Sequence, residues 1–297
     1  MSAVLGSVSV AAPATTANVG SGFDCVALAL DLWNELEVEP GEFAVEVVGE
    51  GAGELPTDLS NLAVRAFALA ADPSAYRFRL LNRIPLERGL GSSAAAIAAG
   101  YAAGCVIAGR LFSTVELPTE AVALDGHADN LAAAFAGGAC LTWSDDGVQR
   151  IRRLADGAPL EAVALIPTNR GRTAALRGGL PASVTHATAA IAASRGALLS
   201  VGLAKGDLEL FVQSTNDVLH EPFRAGESAL FAELKADPPA GVHAVTLSGS
   251  GPTAIAWVAA AAAAEVRNEL AARFGEATVL VLAAAASGVV AREVVAQ

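Results

Sequence analysis

With 297 residues, 53% of them hydrophobic and 17% charged, the chain can bury a large core and does not have the composition of a disordered protein. A formal net charge of −12, with no basic run longer than the pair Arg152–Arg153, argues against a nucleic-acid partner, whose phosphates would be met by a basic stripe. Cys25, Cys105 and Cys140 form no CxxC pair and read as reduced thiols, and the histidines lack the spacing of a structural zinc site.

In chain order, residues 4–12 and 28–39 read as strands, and Phe43–Val48 as a third, because Phe-Ala-Val-Glu-Val-Val alternates. The small and polar residues 12–24 between the first two predict a long turn, neither strand nor helix. Leu62–Ala71 predicts a helix and Tyr76–Ile84 a strand that ends at Pro85. Helices are predicted over 92–110, Thr114–Leu124 and Asp129–Ala136, and strand texture returns from about 139 to 167. Residues 185–204, 206–219 and 224–236 read as helices; Val242–Leu247 and Thr253–Val258 read as strands around Ser248–Pro252. A helix over 262–273 and a strand over 277–284 close the chain.

Strands and helices mix without regular βαβ alternation, so the class is α+β. The charged, turn-rich stretch Ser144–Pro159 marks a boundary, giving an N-terminal domain over 1–152 and a C-terminal domain over 153–297. No charge precedes Asp24, so the positive start of a signal peptide is missing. The long uncharged run between Arg88 and Arg110 is mainly Ala, Gly and Ser, which suits a packed interior helix better than a membrane span. The chain is expected in the cytoplasm, without a membrane partner.

Pro85-Leu86-Glu87-Arg88-Gly89-Leu90-Gly91-Ser92-Ser93-Ala94-Ala95-Ala96 places a strand, a glycine loop and a helix of tiny residues in succession. Such a loop suits a triphosphate, because glycines admit close backbone approach and the first N–H groups of the helix point at the anion. Ser92 and Ser93 add hydroxyls for phosphate or magnesium. The chain has only two lysines, Lys205 and Lys235, so a Walker loop is absent and a phosphate bound here must be held by the helix dipole, backbone amides, hydroxyls and a metal. The bland alternative is a Gly-Ser turn that merely caps a buried helix.

Residues 85–96 resemble the signature of the GHMP kinases, and two further segments match that family in order. Pro13-Ala14-Thr15-Thr16-Ala17-Asn18-Val19-Gly20-Ser21-Gly22-Phe23-Asp24 is similar to its first motif, and Leu247-Ser248-Gly249-Ser250-Gly251-Pro252-Thr253 to its third. The resemblance implies an N-terminal ribosomal-S5-domain-2-like domain and a C-terminal ferredoxin-like domain, with substrate between them. Within the family, Asn61–Ala66, Asp125–Asn130, Thr173–Pro181 and Asp217–Arg224 resemble the homoserine-kinase branch. That branch implies ATP and Mg2+ as cofactors and L-homoserine as substrate. The rivals are a sugar or isoprenoid kinase of the same family and a non-catalytic binding member.

The resemblance assigns Pro85, Leu86, Glu87, Arg88, Gly89, Leu90, Gly91, Ser92, Ser93, Ala94 and Ala95 to ATP, with Asn61 as an adenine contact. It makes Arg177 and Arg224 the carboxylate clamp, a task suited to the bidentate guanidinium. Asn18, Asp24 and Asn130 are placed at the ammonium and hydroxyl end, and Gly249 against the substrate. Ser93 and Asp125 are the implied metal ligands; the family usually has glutamate where Asp125 stands, which leaves a water bridge open. His127 is read either as a substrate contact or as a cap of the next helix. Catalytic roles fall to Asn130, Asp125 and Ser93, with Asn130 orienting the attacking hydroxyl rather than taking its proton. The sequence leaves a homodimer open.

Overall fold

The computed structural model describes residues 6–171, 179–224 and 228–294. Two largely antiparallel sheets organise them, the larger including a parallel pair over Ala44–Gly49 and Tyr76–Asn82. The larger is built on β1 (Ser7–Asn18) and β2 (Gly22–Pro40), whose inward positions alternate along Ser7–Val10 before both faces of β1 become buried. Around this pair stand β3 (Ala44–Gly49), β4 (Tyr76–Asn82), β5 (Glu116–Leu117), β6 (Ala139–Asp145), β7 (Val148–Ala155) and β12 (Val290–Val294), in the order β12-β1-β2-β6-β7-β5 with β4 and β3 branching from β2. The smaller sheet runs β11 (Thr278–Leu282), β8 (Glu161–Ile166), β10 (Ala254–Val258), β9 (Val242–Leu247).

Alternation explains how one small sheet serves two cores. On β8, Ala162, Ala164 and Ile166 face the main core, while Val163 and Leu165 face a second one. Ile255 and Trp257 of β10 point to the main core, where Trp257 meets Phe211 edge-on at 5.2 Å. The second core is closed by Phe231 and Leu234 of one helix, Ala229–Ala236, and by Val266 and Leu270 of another, Ala263–Arg273.

Helices α1 (Leu62–Phe67), α2 (Ser92–Ile107), α3 (Thr119–Asp125) and α4 (Ala128–Ala136) cover the inner face of the large sheet. The uncharged run expected as an interior helix is α2, with Ala94, Ala95, Ile97, Ala98, Ala102 and Ala103 all buried. After β8 come α5 (His186–Lys205), α6 (Leu208–Ser214) and the single turn α7 (Glu221–Arg224). By length and composition α5 is the one helix among the described residues that could cross a membrane.

Several expectations need correction. Residues 12–18 are not a turn: β1 continues to Asn18, pairing with β2 through irregularities at Pro13/Ala14 and Ala17/Asn18, so only Val19–Ser21 bridges the two strands. Bulges let proline and small polar residues stay in a ladder that a regular pattern would exclude. The predicted helix 114–124 is split by Pro118, which caps α3 and leaves β5 before it. The predicted helix 224–236 is described from Ala229, and 206–219 ends at Ser214. β12 was not foreseen. It returns to pair with β1, from Ser7↔Val294 to Ala11↔Val290, and β7 runs through the 152/153 boundary, so the two halves interleave.

Candidate active site

A cavity of about 680 Å³ opens where the β1–β2 turn, the loop before α2, the α3–α4 junction and the β9–β10 turn meet. Its wall includes Asn18, Asp24, Pro85 through Ala94, Asp125, His127, Asp129, Asn130, Arg224 and Gly249. The predicted residues Asn18, Asp24, Ser93, Asp125, His127, Asn130, Arg224 and Gly249 are therefore brought together. Arg177 lies outside the described residues. Asn61 does not line this cavity: its side-chain oxygen accepts from Ala63 N at 3.0 Å, capping α1, and its Nδ2 donates to Pro56 O at 2.8 Å. Ala95 is also absent from the wall, because it is fully buried and its N–H already bonds Gly91 O at 2.9 Å.

The glycine loop ends in a helix start built for an anion. Gly91 is the N-cap of α2 with φ 68°, a left-handed conformation that glycine adopts freely, and having no side chain it leaves the helix start uncapped. A Cβ on Gly91 would run into Thr15 Oγ1. The N–H groups of Ser92, Ser93 and Ala94 precede the first intrahelical bond, made by Ala95, and all three residues line the cavity.

Neighbouring strands hold that loop rigid. Thr15 N donates to Leu90 O at 3.0 Å, and Thr15 Oγ1 donates to Asn130 Oδ1 at 2.7 Å. Fully buried Ser248 Oγ approaches both Thr16 Oγ1 at 2.9 Å and Gly89 O at 2.6 Å. Gly249 N donates to Ala17 O at 3.0 Å, and Asn18 Nδ2 donates to Gly249 O at 2.8 Å. The three sequence motifs are thus one hydrogen-bonded unit. Thr15 and Ser248 were missed as site residues, since a single hydroxyl carries no pattern of its own.

Some predicted contacts have a different geometry. The Arg88 guanidinium turns to carbonyls, donating to Pro167 O at 2.8 Å, Leu86 O at 2.8 Å and Thr168 O at 2.6 Å, so it clamps the loop to the end of β8. Asn18 Oδ1 accepts from Asp24 N at 2.9 Å, holding Asp24 at φ 54°. Asn18, Val19, Asp24 and Glu87 are all non-glycine residues at positive φ, and strain of this kind gathers at functional sites.

Carboxylates dominate the cavity wall: Asp24, Glu54, Glu87, Asp125 and Asp129 against Arg88 and Arg224. A triphosphate would meet repulsion there without a cation to bridge the charges. Asp125 ends α3, at the negative pole of that helix, where a carboxylate is disfavoured unless it serves a cation. Its Oδ2 lies 3.1 Å from His127 Nδ1, a contact that orients it. Among the described residues no cluster of three or more His, Cys, Asp or Glu could enclose a metal by itself. One carboxylate and the Ser93 hydroxyl fit Mg2+, which takes few protein oxygens when phosphates supply the others. Cys25 is no nucleophile: burial pushes its thiol up to about 11, and Asp129 and Asp24 add to the effect.

Opposite the loop stands Arg224, 3% exposed, on α7. Asp217 carboxylate oxygens accept from Leu219 N at 3.0 Å, His220 N at 2.6 Å and Glu221 N at 2.8 Å, and so start this short turn. Glu221 Oε1 accepts from Leu247 N at 2.8 Å and its Oε2 pairs with Lys235, fixing α7 to the third motif.

Residues 60–138, spanning the loop and α1 to α4, match the GHMP kinases N-terminal domain, and with this fold and a helix start that faces the cavity the protein is an enzyme of the GHMP kinase class. It is 41% identical to the homoserine kinase of Moorella thermoacetica over 82% of this chain and 85% of that one. Against the homoserine kinase of Corynebacterium diphtheriae the identity is 39%, covering 83% and 84%. The crystal structure of homoserine kinase from Cytophaga hutchinsonii superposes with a TM-score of 0.86 at 27% identity, over 98% of this chain and 99% of that one. The chain belongs to the homoserine kinase family.

Proposed function

We propose that the protein transfers the γ-phosphoryl group of ATP to the hydroxyl of L-homoserine, giving ADP and O-phospho-L-homoserine, as a cytoplasmic step of threonine biosynthesis without nucleic-acid or membrane partners. The observation that carries this reading is one cavity with a helix N-terminus at one side and a buried arginine at the other. ATP phosphates lie on the amides of Ser92, Ser93 and Ala94 and in the loop from Pro85 to Gly91. Ser93 and Asp125 hold Mg2+, which neutralises phosphate charge.

Arg224, with Arg177, takes the substrate carboxylate by charge-assisted hydrogen bonds. Asp24 pairs with the ammonium, while Asn18 fixes Asp24 and Gly249 rather than reaching out by itself. Asn130 presents its amide to the acceptor hydroxyl. Its oxygen already accepts from Thr15 and its Nδ2 is 3.3 Å from Asp129 Oδ1, which fixes the plane of the amide. An amide takes no proton at neutral pH, so catalysis rests on alignment and charge neutralisation, as phosphoryl transfer allows. His127 orients Asp125 through their 3.1 Å contact.

A coupled ADP-release assay over L-homoserine, mevalonate and galactose tests the proposal. Turnover of homoserine alone is expected; turnover of either rival with none of homoserine refutes it.

A further inference from the structure

His220 is fully buried, and nothing in the phosphoryl-transfer scheme above uses it. Its Nε2 is 2.9 Å from Gly20 O in the β1–β2 turn. A carbonyl can only accept, so the ring proton sits on Nε2 and Nδ1 keeps its lone pair. That lone pair faces Arg224 Nη1 at 3.3 Å, a permanent donor. The same Nη1 reaches Gly249 O at 3.3 Å. Phe23 stacks on the imidazole with centroids 5.1 Å apart and rings 19° from parallel, and the Arg224 guanidinium carbon lies 5.5 Å from the same Phe23 ring. His220 and Arg224 stand four residues apart, so a single helical turn presents both on one side.

We propose that His220 is a positioning residue for the carboxylate clamp: its unprotonated Nδ1 fixes the plane of the Arg224 guanidinium, and this imidazole contact makes the enzyme select an acceptor that bears a carboxylate. The inference rests on the reading of Arg224 given under Proposed function. An imidazole that only filled space would have no need of a donor on one nitrogen and an acceptor on the other. Burial lowers the proton affinity of the ring, with the Arg224 charge acting the same way and the Asp217 and Asp24 carboxylates and the Gly20 carbonyl opposing it. The neutral ring avoids setting a second cation beside the guanidinium.

Two isosteres separate the nitrogens. In His220→Asn the side-chain oxygen replaces the Nδ1 acceptor, whereas in His220→Gln the amide nitrogen replaces the Nε2 donor to Gly20; both lose the stack on Phe23 alike. The Gln variant is expected to raise the homoserine KM on the order of tenfold and the Asn variant by no more than about threefold, as one hydrogen bond to a charged group is worth. The ATP KM stays constant in both. With 3-aminopropan-1-ol, which is homoserine without its carboxylate, kcat/KM is the same in wild type and both variants. Equal effects of Asn and Gln, or a parallel loss with the decarboxylated alcohol, overturn the proposal. A measurement on the wild-type protein needs no variant to fold: the histidine 15N spectrum should show the His220 Nε2–H tautomer at pH 7, and an Nδ1–H or doubly protonated ring refutes the assignment. Absence of homoserine turnover in the wild type would refute the proposed function while leaving the tautomer result standing.

Discussion

Gly91→Ala probes the joint between the phosphate loop and the acceptor side of the cavity. Alanine at φ 68° carries a left-handed cost of about 1 kcal/mol. The new Cβ runs into Thr15 Oγ1, which can retreat only by giving up its 2.7 Å bond to Asn130, worth about 1 kcal/mol more. The sum is about 2 kcal/mol of stability, together with a raised ATP KM because the amides of Ser92 and Ser93 shift with the cap. Thr15→Ala removes the severest obstacle, Oγ1, and the same hydrogen bond, at about 1 kcal/mol, leaving the tight but smaller contacts of Thr15 Cβ at 3.1 Å and Thr15 N at 3.2 Å. The double variant then loses that bond once rather than twice, so its destabilisation falls short of the two single effects added together by about 1 kcal/mol. Urea unfolding of the four proteins measures the cycle. Additivity within ~0.3 kcal/mol would refute the claim that Gly91 is held open by Thr15.

Other perturbations follow from the same geometry. Arg224→Ala should raise the homoserine KM by about 100-fold through loss of two charge-assisted hydrogen bonds, with the ATP KM nearly intact; an unaltered homoserine KM removes Arg224 from the clamp. Asp125→Asn should lower kcat on the order of 100-fold and raise the Mg2+ concentration needed for half-maximal rate, whereas an unchanged kcat would dismiss the metal assignment. Burial pushes the Glu221 carboxyl up to about 7, outweighing Lys235 and the Leu247 N–H, which act downward. The folded state therefore binds the extra proton between the carboxyl's ordinary value of 4.5 and about 7, and this contribution to stability is present below that window and lost as pH rises through it. Glu221→Gln should flatten the melting temperature across pH 5 to 8; an unchanged slope contradicts the assignment.

The glycine loop and its helix were legible because glycine, serine and alanine in that succession leave few other structures open to the chain. The same holds for β8 and β10, whose short apolar runs are buried on both faces. What escaped depends on single side chains meeting across long sequence distances. Thr15 and Asn130 are 115 residues apart, and Ser248 and Thr16 are 232 apart, so no local spacing announces either pair. Asn61 did carry a signal: asparagine directly before Leu-Ala-Val-Arg-Ala reads as an N-cap, and the cap is what the structure contains. β12 follows a stretch without hairpin chemistry, and its partner β1 lies at the opposite end of the chain, so only tertiary pairing defines it. Residues 12–18 were misread since bulges break the alternation by which strands are recognised.

The central claim is that one cavity holds ATP phosphates on the start of α2 and homoserine on Arg224. A crystal structure with a non-hydrolysable ATP analogue, Mg2+ and L-homoserine tests it most directly. The account predicts the terminal phosphates on the amides of Ser92 to Ala94, the metal between Ser93 and Asp125, and the homoserine carboxylate on Arg224 with its hydroxyl beside Asn130. Phosphates bound away from the α2 N-terminus, or a homoserine carboxylate that leaves Arg224 uncontacted, would contradict it.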